Sequence, residues 1–190
     1  MARSDHVIVE SGDIGHVTKL LGELPNKEVL VGIPSTTAGR TDIPISNAVL
    51  GYIHEFGEPR HNIPPRPFLI PGVVSVQAQT IEGLRRAGEF ALNGKETECM
   101  RQLHAVGMRA SMAVKRKITT GPFVPLRPAT VAARLRKTKR GRNILGMLRQ
   151  KGADLAKWGA ANLKPLIDTG QMRNAVTYIV RDGGKVVAKP

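Results

Sequence analysis

Cysteine is nearly absent: Cys99 is the only one among 190 residues. One thiol closes no internal disulfide and builds no Cys-rich zinc site, which fits a reducing compartment. Aromatics are scarce, with four Phe, two Tyr and one Trp. Proteins that bind single strands by stacking bases rely on several such platforms, so that class is disfavoured. Long hydrophobic runs are missing too. The longest, Leu69 to Val76, is interrupted by Pro71 and Gly72, far short of the roughly 20 residues that span a bilayer. The first residues, MARSDHVIVESGD, lack the apolar core of a signal peptide. The expectation is a soluble protein made in the cytoplasm, with no membrane partner.

Acidic residues are missing from one stretch altogether. The chain holds 29 Lys or Arg against 15 Asp or Glu, a formal charge of +14. From Arg101 to Ala153 there are 14 basic residues and no acidic ones. The remainder then balances at 29 − 14 = 15 basic against 15 acidic, so the whole excess lies in that stretch. Its density peaks at Arg134, Arg136, Lys137, Lys139, Arg140 and Arg142. Such a block repels itself unless an anion is near. It reads either as a solvated, solubilising loop or as a phosphate-facing surface. A surface made only for solubility mixes both signs. With Phe123 as the lone aromatic between Arg101 and Ala153, a nucleic-acid partner would be duplex held by its backbone, without base reading.

Local patterns predict helices over Asp13–Leu24 with Asp13 as its N-cap, Ile45–Phe56 starting near Ser46, Val73–Leu92, Glu96 to about Lys117, and Pro128–Leu135. Within Val73–Leu92 the face is expected to carry Gln77, Ile81, Leu84, Gly88 and Ala91. The next helix carries Met100, Leu103, Gly107, Ala110 and Val114, with Gly107 and Ala110 small enough to admit a neighbouring helix. Asn143 to Leu163 has weaker helical signals. Strands are expected over Glu28–Ile33, Asn174–Arg181 and Lys185–Ala188, the last two joined by Asp182-Gly183-Gly184, a hairpin signal. Helices and strands mix without βαβ regularity. The fold class is therefore α+β: a small, mostly antiparallel sheet with a C-terminal hairpin, packed by several helices. One domain over 1–190 is expected, with 136–163 as a basic inserted arm or loop.

Chemical motifs are weak. Gly32 to Thr41 follows a strand but has six residues between its glycines and Arg40 in place of Lys, which departs from a phosphate-binding loop, so the segment reads as a flexible loop. His54-Glu55 would need a second His at 58, which is Glu58. His6, His16, His61 and His104 show no ligand spacing. Cys99 is expected as a buried structural thiol. No carboxylate pair or nucleophile elbow stands out. No catalytic residue, cofactor or metal is expected. Pro64-Pro65-Arg66-Pro67 reads as a rigid connector, since Ile63 and Phe68-Leu69-Ile70 flank it and call for burial.

Three blocks carry a resemblance. Ile53-His54-Glu55-Phe56-Gly57 followed by Asn62-Ile63-Pro64-Pro65-Arg66-Pro67-Phe68-Leu69 resembles the "IHEFG…NIPPRPF" signature of tailed-bacteriophage neck proteins, the tail-completion, head–tail joining or virion morphogenesis family. Pro125-Leu126 with Pro128-Ala129-Thr130 resembles its "PLxPxT". Lys164-Pro165-Leu166-Ile167-Asp168-Thr169-Gly170-Gln171-Met172, then Asn174-Ala175-Val176-Thr177-Tyr178, resembles its "KPLIDTGxL…SVTY" ending. The departure is Arg136 to Asn162, longer than the family's usual connection. The resemblance implies a structural protein of the virion neck, not an enzyme. It implies a homo-oligomeric ring, usually six copies, between connector or stopper proteins of the head and terminator or tube proteins of the tail, with double-stranded DNA in its lumen. On that reading Arg134, Arg136, Lys137, Lys139, Arg140 and Arg142 face DNA or an acidic neighbouring ring. His54, Glu55, Gly57, Pro64, Pro65, Arg66 and Pro67 form an architectural turn in which Arg66 bridges to Glu55 or Glu58. Asp168, accepting backbone hydrogen bonds, and Gly170 turn the chain into the final hairpin. That hairpin stays in its own sheet or extends a neighbour's. The alternative is a cellular, sequence-independent nucleic-acid-binding protein. An enzyme such as a nuclease would need clustered metal-binding carboxylates, and the basic stretch holds none.

Overall fold

The computed structural model describes Gly22, residues 26–35 and residues 45–188. The expected Asp13–Leu24 helix (apart from Gly22), most of the Gly32–Thr41 loop, and His6 and His16 lie outside the described residues. The fold is α+β. The described elements run β1 (Lys27–Gly32), α1 (Asn47–Phe56), α2 (Leu69–Val74), α3 (Gln77–Leu92), α4 (Glu96–Thr120), α5 (Pro128–Arg136), α6 (Lys139–Gln150), α7 (Leu155–Asn162), α8 (Gln171–Ala175), β2 (Thr177–Asp182) and β3 (Lys185–Ala188). They fall into two compact units. Of the described residues, the first comprises those up to Val31, Val76–Ala110 and those from Tyr178 onward; the second comprises those within Gly32–Ser75 and Ser111–Thr177.

In the first unit the sheet order is β1-β2-β3. The hairpin forms as its turn residues demand. Gly183 and Gly184 both take positive φ (55° and 77°), the conformation an Asp-Gly-Gly turn supplies without Cβ strain. Arg181 pairs with Val186 and Asp182 with Lys185, antiparallel, with a register irregularity at Val180/Arg181. Gly183 N donates to Asn26 O at 3.1 Å, which ties the end of β2 to the start of β1. Lys27 Nζ bonds Asp182 at 2.8 Å and Glu96 at 2.9 Å. Burial opposes the charge of this ammonium, but the bonds to Asp182 and Glu96 prevail and hold its pKa above the ordinary value.

Alternation along β2 buries Tyr178 and Val180 on one face. They pack with Ala87 and Ala91 of α3, Cys99 and Leu103 of α4, and half-buried Val29 and Val31 of β1. Cys99 is buried as expected, and burial, reinforced by Glu96, pushes its pKa up. The α4 face follows the expected spacing: Leu103, Ala110 and Val114 are all buried. What fits over Gly107, however, is not a helix. A Cβ there would lie 2.2 Å from Cδ2 of the Tyr178 ring, whose hydroxyl lies 3.0 Å from His104 Nδ1.

The Val73–Leu92 reading needs two corrections. The chain forms two helices, α2 and α3, parted at Ser75-Val76. The buried face of α3 is Thr80, Gly83, Ala87 and Ala91, while Ile81 and Leu84 are exposed. The reason is steric: a Cβ at Gly83 would sit 2.5 Å from Cγ2 of Val106 in α4, so only the small-residue face permits this approach.

In the second unit, Ser46 Oγ accepts from Val49 N at 3.2 Å and starts α1, where the sequence places its beginning, and Gly57 (φ 81°) ends it. Pro128 opens α5 in its first turn. Residues 136–163, read as an inserted arm, carry the last residue of α5, then α6, α7 and the residue after α7. α5 packs on α6 and on α7. Leu126, Val131, Ala132, Leu135 and Leu145 form the core there, flanked by Ile144, Leu148, Leu155, Trp158 and Leu163. Asn174 and Ala175, expected in a strand, instead end the short helix α8 that opens at Gly170.

Candidate nucleic-acid interface

The three sequence blocks meet in the second unit, and two arginines join them. Arg66 is buried. It does not bridge to Glu55 or Glu58. Its Nε donates to Val124 O at 2.7 Å and its Nη2 to Pro125 O at 3.0 Å, joining the first block to the second. Burial lowers its pKa, with the nearby Arg134 and Arg127 charges adding to the effect. Arg134 follows the second block on α5. Its Nη1 donates to Lys164 O (2.8 Å) and Ile167 O (2.9 Å), and its Nη2 to Pro165 O (2.7 Å), clamping the third block. A planar guanidinium suits this, since its fixed fork meets several carbonyls at once. Burial lowers the Arg134 pKa against the opposing pull of Asp168.

Glu55 has a different task from the one expected. It is buried, and it accepts Phe68 N (2.7 Å) and Leu69 N (2.8 Å) on Oε2 and Ile70 N (3.0 Å) on Oε1. These are the unsatisfied amides at the start of α2, which Phe68 at the cap position does not serve itself. A carboxylate there also complements the helix dipole. The turn between is tight. Gly57 (φ 81°) has Ile63 O and the Pro65 ring within 3.0 Å of where a Cβ would be. Glu58 and Ile63 exchange backbone hydrogen bonds at 2.9 and 3.0 Å around a single 3₁₀ turn, Pro59–His61. Arg66 N donates to His54 O at 2.6 Å. Glu58 caps that turn by accepting Arg60 N. The Pro64–Pro67 connector therefore sets the direction between α1 and α2.

Asp168 does not accept backbone bonds from its own turn. Its carboxylate pairs with Lys137 Nζ and lies 3.9 Å from Arg134 Nε. Thr169 Oγ1 and a left-handed Gly170 (φ 81°) make the turn into α8. A cavity of about 260 Å³ lies beside this corner, lined by His54 from the first block, Thr130 from the second and Asp168 from the third, with Arg134 and Lys137. Its charged groups already face one another. Among the described residues no cluster of three or more His, Cys, Asp or Glu is placed to hold a metal ion, and no helix is long and apolar enough to cross a membrane.

The six expected DNA-facing residues thus divide. Arg134 is consumed by the clamp and Lys137 by Asp168. Arg136, Lys139, Arg140 and Arg142 remain exposed. Arg142 Nη1 donates to Arg136 O at 3.1 Å, within that basic group. Helix α6 is strongly amphipathic: Gly141 and Leu145 are buried, while Lys139, Arg140, Arg142 and Arg149 face solvent. Thr138 Oγ1 caps it by accepting Gly141 N at 3.0 Å. Its first turn carries Lys139, Arg140 and Arg142 and no acid, so the side chains add to the positive end of the helix dipole. Arg149 belongs to this surface although the charge peak at 134–142 does not include it. The helical spacing from Lys139 and Arg142 is the signal that would have found it.

The chain matches no protein-family model, no curated protein and no solved structure.

Proposed function

We propose that this chain is a structural protein of a tailed-phage neck. It completes the tail or joins head to tail as a homo-oligomeric ring, usually of six copies, through which double-stranded DNA passes. One observation carries the reading: the three blocks that resemble the family, spread over more than 100 residues of sequence, are tied into one unit by Arg66 and Arg134. Residues that look like separate motifs act as one architectural element, as a structural role requires. The exposed cations of α6 supply what a DNA lumen needs. Duplex DNA carries about one negative charge per 1.7 Å of axis, so a positive surface repeated around a ring holds it without reading sequence. Connector or stopper proteins of the head and terminator or tube proteins of the tail are its neighbours on this reading, and the virion is its place of action.

The test is electron microscopy of lysates from a phage carrying a nonsense mutation in this gene. Filled heads beside separate, complete tails are expected. Normal infectious virions would remove the neck assignment. The same basic surface would then favour the second reading, a cellular protein that binds duplex nucleic acid without sequence preference.

A further inference from the structure

Helix α6 carries a glycine that the chain itself does not use. Among the glycines inside the described helices, Gly51, Gly72, Gly83, Gly107, Gly141 and Gly159 each have an atom within 3.0 Å of where a Cβ would be. Gly22, Gly88 and Gly146 have nothing within 4 Å, and Gly22, also exposed, lies outside the basic stretch. Gly88 is half-buried, whereas Gly146 lies exposed on the solvent face of α6. A glycine in an exposed helix interior costs helix stability relative to Ala, and here no internal packing offsets that cost.

Its neighbours on the helix surface supply a use. Lys139, Arg142, Gly146 and Arg149 follow the spacing i, i+3, i+7, i+10, one stripe along the helix. The stripe runs about 15 Å, and all four residues are exposed. Leu145, with half-buried Ile144 and Leu148, faces the core from the other side. No Asp or Glu occurs anywhere between Arg101 and Ala153.

We infer that this stripe is the seat of a duplex nucleic-acid backbone, with Gly146 the point of closest approach. The inference rests on the DNA-facing reading above and names its surface. Three cations with no acidic partner among the described residues match a polyanion of regular spacing. The missing side chain at Gly146 lets the phosphate backbone come down to the helix main chain between Arg142 and Arg149. Any Cβ branch there holds the strand off and lengthens both charge contacts.

The experiment is fluorescence anisotropy of a random-sequence 25-base-pair DNA with the full chain, at several salt concentrations from 50 to 200 mM. Arg142→Gln and Arg149→Gln should each flatten the slope of log K against log salt by about 0.9. Gly146→Leu keeps every charge and raises helix propensity. It should melt no lower than the parent protein yet bind duplex at least tenfold more weakly, with Gly146→Ala intermediate. If the parent binds duplex and Gly146→Leu binds equally well, the stripe is not the seat, while the DNA-facing reading survives. If the parent binds poly-glutamate but no duplex, the seat belongs to an acidic protein, and both the inference and the DNA-facing reading fall.

Discussion

The Arg66 side chain reaches across 58 positions of sequence to bring its Nε within 2.7 Å of the Val124 carbonyl oxygen. Arg134 does the same for residues 164–167, about 30 positions away. Each is a buried or half-buried cation answered mainly by carbonyl dipoles. A cation so placed is stable only when its geometry is right, because desolvation must be offset by every available hydrogen bond.

Arg66→Lys and Arg134→Lys keep the charge but lose the fork. Each should lower unfolding stability by about 2 kcal/mol, read by urea denaturation. Because the Arg134 charge contributes to lowering the Arg66 pKa, the two cations repel, each single removal relieves that repulsion, and Arg66→Met and Arg134→Met together should cost more than the sum of the two alone. An additive double-mutant cycle would show the two guanidinium groups to be uncoupled.

Glu55→Ala strips three amide hydrogen bonds from the start of α2. A loss of about 2 kcal/mol is expected from one buried and two part-buried donors left unpaired, and hydrogen exchange should quicken first at Phe68, Leu69 and Ile70. Glu55→Gln retains one carbonyl oxygen as acceptor and should fall between the two. Unchanged exchange at these amides in the Ala variant would overturn the assignment.

Gly107→Ala places a methyl 2.2 Å from the Tyr178 ring. Overpacking of this kind costs about 1–3 kcal/mol. The Tyr178 hydroxyl must also move relative to His104, so the near-ultraviolet tyrosine signal should change with the melting temperature. Gly146→Ala, on an open face, serves as the contrast and should stabilise.

Cys99 is buried with a raised pKa, chiefly from burial and then from the charge of Glu96. Its folded form therefore holds its proton above the pH at which the unfolded thiol, near 9, releases it. The unfolded state then binds fewer protons, so stability falls as pH rises past that value and is unaffected below it. Ellman's reagent at pH 8 should react with Cys99 slowly, at the rate of opening, and rapidly in urea. The part of the decline that sets in near pH 9 should vanish in Cys99→Ala, while the part at higher pH, from the Lys27 ammonium held protonated by Asp182 and Glu96, should remain. Prompt labelling of the native protein would contradict the burial.

Much of this was decided within a few residues of chain. Ser46 and Gly57 bound α1, Pro128 opens α5, and Asp182-Gly183-Gly184 closes the hairpin, because caps and turns depend on local φ, ψ and on the nearest side chains. The α+β class and the concentration of charge were equally legible, since periodicity and net charge are properties of the chain alone. Other features were settled only when distant segments met. Apolar Ile81 and Leu84 face outward because Gly83 and Ala87 admit α4 and they do not. Arg134, Lys137 and Arg142 look alike in a row of cations, yet one became a clamp, one an ion pair and one an exposed charge. Which role each took depended on where the carbonyls of residues 164–167 and the Asp168 carboxylate arrived. Spacing says which side chains share a face; only packing decides what that face meets.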